Sequence, residues 1–256
     1  MRLVRAFALL ATLPLAALPA HATAFSAGEF VTWSQVAWGD VPVCNPTVCN
    51  ISGLLETNFN SLFAPSDLLR VGVSGTAGFS LIFDSADAVI TYLPASGTPG
   101  ALTATLLDPV TSASGSLGGE VVAAALNVAF SDAGLLAHPS GVTFGDLVFQ
   151  NLGSFGAAEG PDVGPEIAEL DGSSVRDVLS DADLVLGGAA SPFTPEDMFE
   201  LLNFTARAFN GGNLLDDAGT FLALPSSTAS MVPEPPAWAI LLIGVGGLAT
   251  CRRRRS

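Results

Sequence analysis

Sixteen uncharged residues from Pro236 to Cys251, followed by Arg252, Arg253, Arg254 and Arg255, constrain this chain more than any other feature. A run this apolar is expelled from water, while guanidinium groups are costly to bury in hydrocarbon. Together they predict one C-terminal transmembrane helix with its arginines held on the cytoplasmic side. The run is short beside the ~20 residues of a usual span. Snorkelling arginines and the flanking prolines make up the difference, and Trp238 sits where an interfacial anchor would. Just before it, Pro233 and Pro235 keep Val232-Pro233-Glu234-Pro235 out of a helix, so that segment stays extended and accessible.

The other end carries a matching signal. Arg2 and Arg5 form a basic region, Ala6 to Leu18 an apolar stretch, and Ala22-Thr23-Ala24 a small-residue cleavage site. That order is the pattern of a secretory signal peptide over residues 1–24, with Sec-type export machinery and a signal peptidase as implied partners. Ala20-His21-Ala22 offers a second cut, so the mature chain starts at Thr23 or Phe25. A buried first helix is the alternative.

Between these ends the charge is strongly negative. Nine arginines and no lysines occur, and only Arg70, Arg176 and Arg207 fall between Phe25 and Val232, against 23 acidic residues, for a formal charge of −20. Nucleic-acid binding needs a basic footprint, which this body lacks. Its length, about 208 residues, suits one domain with a substantial core.

Cys44 and Cys49 flank a turn-forming Asn45-Pro46. In an exported chain the pair reads as a local disulfide. A metal site is the weaker alternative, since no second cysteine pair exists and His138 is the sole histidine of the mature body. The same scarcity leaves nucleophilic catalysis without a base or a nucleophile elbow. Calcium is the ion to consider. Glu159, Asp162, Glu166, Glu169 and Asp171 crowd a Gly/Pro-rich stretch of hard oxygen ligands, without the spacing of an EF-hand. A solvated acidic loop is the plainer reading. Asn50-Ile51-Ser52 and Asn203-Phe204-Thr205 match the glycosylation sequon, a signal of little force by itself.

Two helices are sharply punctuated. Ser174 caps one whose Val175, Val178, Leu179, Ala182 and Leu186 form a stripe ending at Gly187-Gly188. Thr194 caps the next, with Pro195 first and Asp197 three residues on, and Gly211-Gly212 stops it. They predict an antiparallel helical pair over about 174–210. Residues 86–93 have helical spacing before Pro94. "GEVVAAALNVAFSDAG" suits a buried helix or a strand, and "ISGLLETNFNSLF" a helix capped by Ser52. "FVTWSQVAW", "LRVGVS" and "FSLIF" are strand candidates. The expected class is α+β, mostly helical with a small sheet. A β-sandwich is the alternative.

The tail resembles a known family. Val232-Pro233-Glu234-Pro235, the apolar helix and the terminal arginines are similar to the PEP-CTERM sorting signal of Gram-negative bacteria that make extracellular polysaccharide. The resemblance spans about 25 residues. It implies that an exosortase-like membrane transpeptidase recognises the Pro-Glu-Pro segment of a precursor held in the inner membrane. A plain C-terminal anchor shares everything but that meaning. "TWSQVAWG", "YLPASGTPGALTATLLDP" and "GGEVVAAALNVAFSDAG" resemble blocks of uncharacterised secreted bacterial proteins, which implies one continuous body and no activity.

The resulting plan is a signal peptide (1–24), an exported acidic domain (25–212), a spacer (213–232) and a sorting signal (233–256). The expected function is a non-enzymatic envelope or exopolysaccharide-matrix protein with a structural or binding role. A secreted hydrolase working on matrix glycans through paired carboxylates is the competing class.

Overall fold

The computed structural model describes residues 25–225, except 46–47, 65–67, 140 and 160–162. Along the chain these form α1 (Gln35–Trp38), α2 (Ile51–Leu62), β1 (Leu69–Gly72), β2 (Ser80–Phe83), α3 (Ala86–Tyr92) and β3 (Leu106–Leu107). There follow α4 (Gly115–Asp132), β4 (Val148–Phe149), α5 (Phe155–Glu159), α6 (Val175–Leu186), α7 (Pro195–Ala208), α8 (Ala218–Phe221) and β5 (Leu222–Ala223). The class is mixed α+β. No β-sandwich forms among the described residues, because the most apolar stretch is a helix and the strands make only two small sheets.

That helix, α4, is the centre of the body. Its Leu117, Val121, Val122, Ala124, Leu126, Val128 and Phe130 are all buried, so it is apolar on nearly every side. Such a helix must be enclosed, and α6, α7 and α1 pack around it. The pair α6–α7 forms as its caps predict. Ser174 and Asp177 make a reciprocal capping box at α6, and Thr194 and Asp197 make another at α7. Each box satisfies two otherwise orphaned backbone N–H groups. The two helices touch each other, yet their shared burden is to cover α4.

In the three-stranded sheet β1 pairs antiparallel with β2, Leu69 opposite Phe83, and β2 pairs parallel with β3, Leu81 opposite Leu106. Helix α6 lies against β1. The packed body also reaches into the stretch expected as a spacer. Strand β5 pairs with β4, Val148 opposite Ala223, and Phe221 meets Phe155 and Phe204 edge to face at 5.0 and 5.6 Å between centroids. The packed unit runs to Leu224.

Two local expectations change. "FVTWSQVAW" is not a strand: Ser34 caps the short helix α1, and Trp33 takes its hydrogen bonds from a side chain of α4 instead of a ladder. Helix α2 is capped by Asn50, whose Oδ1 accepts from Gly53 N–H at 3.0 Å, while Ser52 is buried inside the first turn. No helix among the described residues is long and apolar enough to cross a membrane. The signal peptide and the transmembrane segment both lie outside the described residues.

Candidate apolar cavity and the polar seam behind it

Helix α4 carries two polar residues that its apolar surroundings make conspicuous, Glu120 and Asn127, seven residues apart and so on one face. Both meet the segment 33–35. Asn127 Oδ1 accepts from Trp33 N–H at 2.9 Å and its Nδ2 donates to Trp33 C=O at 2.8 Å. Gln35 Nε2 donates to Glu120 Oε1 at 2.8 Å, and Gln35 Oε1 accepts from Ala95 N–H at 2.9 Å. Gly119 makes this approach possible, because a Cβ there would collide with Gln35 Oε1. The seam therefore sets α1 against α4 in one register.

Glu120 is 4% exposed, and its Oε2 has no hydrogen-bond partner. Burial pushes its carboxyl up to about 7, against the opposing pull of the Gln35 hydrogen bond and the Arg207 charge, with Glu200 adding to the rise. A neutral carboxylic acid is the cheaper form in such surroundings. On α6, burial likewise raises Asp183 to about 6, although Gly72 N–H donates to its Oδ1.

On the outer side of the 31–40 segment lies a cavity of about 380 Å³. Three separate stretches build it. Val31, Trp33, Ala37 and Asp40 come from one, Cys49, Asn50, Ile51 and Leu54 from the start of α2, and Leu135, Leu136 and Ala137 from the turn after α4. The turn is fixed by Leu135 and Leu136 N–H donating to Phe130 C=O, and by Val31 N–H donating to Ala137 C=O at 3.1 Å. Its volume falls within the range of small-molecule sites.

The cavity's polar wall is mostly committed. Asn50 accepts from Val43 N–H at 2.9 Å and from Gly53 N–H, and donates to Val41 C=O at 2.9 Å. An asparagine so occupied is no glycan acceptor in the folded chain. Asp40 Oδ1 accepts from Val41 N–H at 2.8 Å, and Asp40 is the one acidic residue of the lining. Beside the cavity the Cys44 and Cys49 sulfurs stand at disulfide distance, with Cα atoms 4.1 Å apart. Val36, Val41, Val43 and Val48 are exposed by 63, 71, 57 and 65% around this knuckle.

The described residues of the acidic stretch are not gathered into a metal site. Glu166 and Glu169 point to solvent from a 3-10 turn over 165–170 that buries Ile167 and Leu170 instead. Asp171 Oδ1 is taken by Leu152 N–H at 2.8 Å. Glu159 ends α5, and Asp162 lies outside the described residues. No cluster of three or more potential ligands occurs among the described residues. His138 Nδ1 lies 2.9 Å from Pro139 C=O, beside no described nucleophile. Tyr92, Ser112 and Ser114 share a hydroxyl cluster with Tyr92 Oη and Ser112 Oγ 2.9 Å apart, but burial raises the Tyr92 phenol, so it is a poor base. Val232, Pro233, Glu234, Pro235 and Arg252 to Arg255 lie outside the described residues.

The cavity was hidden in the sequence because its walls are far apart along the chain. Glu120 and Asn127 were detectable, as polar residues one helical face apart in "GEVVAAALNVAF". Compared with known proteins, the chain matches no family model, no curated protein and no solved structure.

Proposed function

We propose that this chain is an exported protein sorted by an exosortase-like transpeptidase to the envelope or exopolysaccharide matrix of a Gram-negative bacterium. There its body serves a structural or binding role without turnover. The carrying observation is the ordered tail: Val232-Pro233-Glu234-Pro235, the uncharged run to Cys251, then Arg252 to Arg255. On this reading a mostly helical exported domain, with its α6–α7 pair, is tethered outside the membrane by one transmembrane helix until the tail is cut. The Cys44–Cys49 pair supports export, since such pairs persist in oxidising compartments. The charge of −20 suits solvation and screening by divalent cations such as calcium, which would bridge the body to acidic polysaccharide.

The test is processing of the tail. Replacing Glu234 by Ala, or Pro233 and Pro235 by Ala, should leave a membrane-bound precursor that retains its arginines. Immunoblotting of fractionated cells with a tag beyond Arg255 reads the result. A processed form that persists in both variants would reduce the segment to an anchor.

A further inference from the structure

We infer that the cavity between Trp33, Ile51 and Leu136 is a binding site for a small organic ammonium ion, one carrying a compact aromatic or branched hydrocarbon group. It rests on the binding half of the role proposed above and names its ligand class.

Volume, wall chemistry and charge each narrow the occupant. About 380 Å³ exceeds the ~150 Å³ that encloses a benzene-sized guest, so a ring with a short chain fits. The lining side chains are mostly hydrocarbon, with Asp40, Asn50, Cys49 and the indole of Trp33 as the exceptions. Asn50 Oδ1 already accepts from Val43 and Gly53 N–H, and its Nδ2 donates to Val41 C=O, which commits its oxygen to the backbone. Asp40 is exposed, and one of its oxygens is bound by Val41 N–H. It is the one acidic side chain among the residues that line the cavity.

No cation lines the cavity: the three arginines of the body are Arg70, Arg176 and Arg207. An anionic guest would meet the like charge of Asp40, and a neutral one would forgo an ion pair with it. An ammonium group at Asp40, with its hydrocarbon against Trp33 and Leu54, satisfies both chemistries. Trp33 is the aromatic residue of the lining, the residue type that best attracts a cation. Its main chain is clamped on both sides by Asn127, so the wall is set before a ligand arrives.

The experiment is a calorimetric titration of the full chain in lipid nanodiscs, with empty nanodiscs as reference. The probes are phenethylamine, the neutral 2-phenylethanol and the anionic 3-phenylpropanoate. Phenethylamine should bind about fivefold more tightly than the alcohol, the advantage of a rim ion pair, and the carboxylate should not bind. Asp40→Asn preserves the acceptor for Val41 N–H, so it should lower phenethylamine affinity to that of the alcohol and leave the alcohol unchanged. Leu54→Trp, which fills the cavity, should abolish both; an unchanged far-ultraviolet circular dichroism spectrum and melting temperature certify its fold. The inference is overturned if phenethylamine does not bind, if all three probes bind equally, or if Asp40→Asn leaves the preference intact. Tail processing in cells is read separately, so failure here leaves the sorting proposal standing.

Discussion

The α4–α6–α7 core and the Cys44–Cys49 knuckle solve the same problem in opposite ways. In the core, apolar side chains are enclosed and most of the few polar ones are paired: Asn127 with Trp33, Gln35 with one oxygen of Glu120, and Asp197 with Thr194 and with Gly164 N–H at 2.7 Å. In the knuckle the valines face water, and the fold is held by a crosslink and by Asn50, a single side chain that stitches Val41, Val43 and Gly53 together. Burial stabilises the first region, covalent and hydrogen-bonded restraint the second. A surface exempt from the hydrophobic logic of its own core is free to serve another purpose.

The largest effect should come from breaking the core. Phe204 is fully buried and packs edge to face on Phe155 at 5.4 Å and on Phe221 at 5.6 Å. Phe204→Ala should cost about 3–5 kcal/mol in denaturant unfolding, through lost transfer energy and the cavity left behind. A loss below about 1 kcal/mol would mean that the three rings do not form one packed unit.

Next is Glu120, where the core departs from its own rule. Its carboxyl holds a proton to about pH 7 in the folded chain, and the reference value for an unfolded glutamate is 4.5. Between these values the unfolded state releases its proton first, so stability falls as pH rises through the window and levels off above it. The drop is on the order of 3 kcal/mol. Asp183 acts with the same sign up to about pH 6, so the wild-type curve alone does not isolate Glu120. Glu120→Gln keeps an acceptor for Gln35 and removes the titration. Its unfolding free energy should lose most of the fall seen in the wild type between pH 5 and 8, and an unchanged slope would assign the effect elsewhere.

The contrast also marks how far the sequence could be read. Helices α6 and α7 were legible because Ser174, Asp177, Thr194, Pro195 and Asp197 are local signals, acting within one turn of their own backbone. For α2 the helix was legible and its cap was not: Ser52 and Asn50 are both competent caps, and only the fold shows Asn50 also holding Val41 and Val43. "FVTWSQVAW" misled because its β-branched and aromatic residues fit a strand, while Gln35 and Trp33 find partners on α4 about 85 and 94 residues away. The acidic stretch was legible only as composition. Composition left a calcium site beside the plainer reading of a solvated loop, and burial of Ile167 and Leu170 leaves Glu166 and Glu169 exposed.

A third test returns to the knuckle. Replacing Cys44 and Cys49 together by Ser should cost about 2 kcal/mol on the chain-entropy account of so short a loop. Reduction of the wild type should give the same loss, measured by thermal unfolding with and without reductant. The loss should stay well under that of Phe204→Ala, since the knuckle encloses little of the main core.

The smallest expected effect is the most informative about purpose. Val43 and Val48 are more than half exposed, so they forgo most of the stabilisation that burial gives an apolar side chain. Val43→Ser and Val48→Ser should each change unfolding free energy by no more than about 0.5 kcal/mol, the scale of ordinary surface substitutions. Neither side chain lines the cavity, so phenethylamine affinity should also hold. A loss above about 1 kcal/mol would show the valines supporting the knuckle itself, and the contrast with the core would collapse. If both measurements hold, the valines are neither structural supports nor part of the cavity, and their exposure is left to contacts outside this chain.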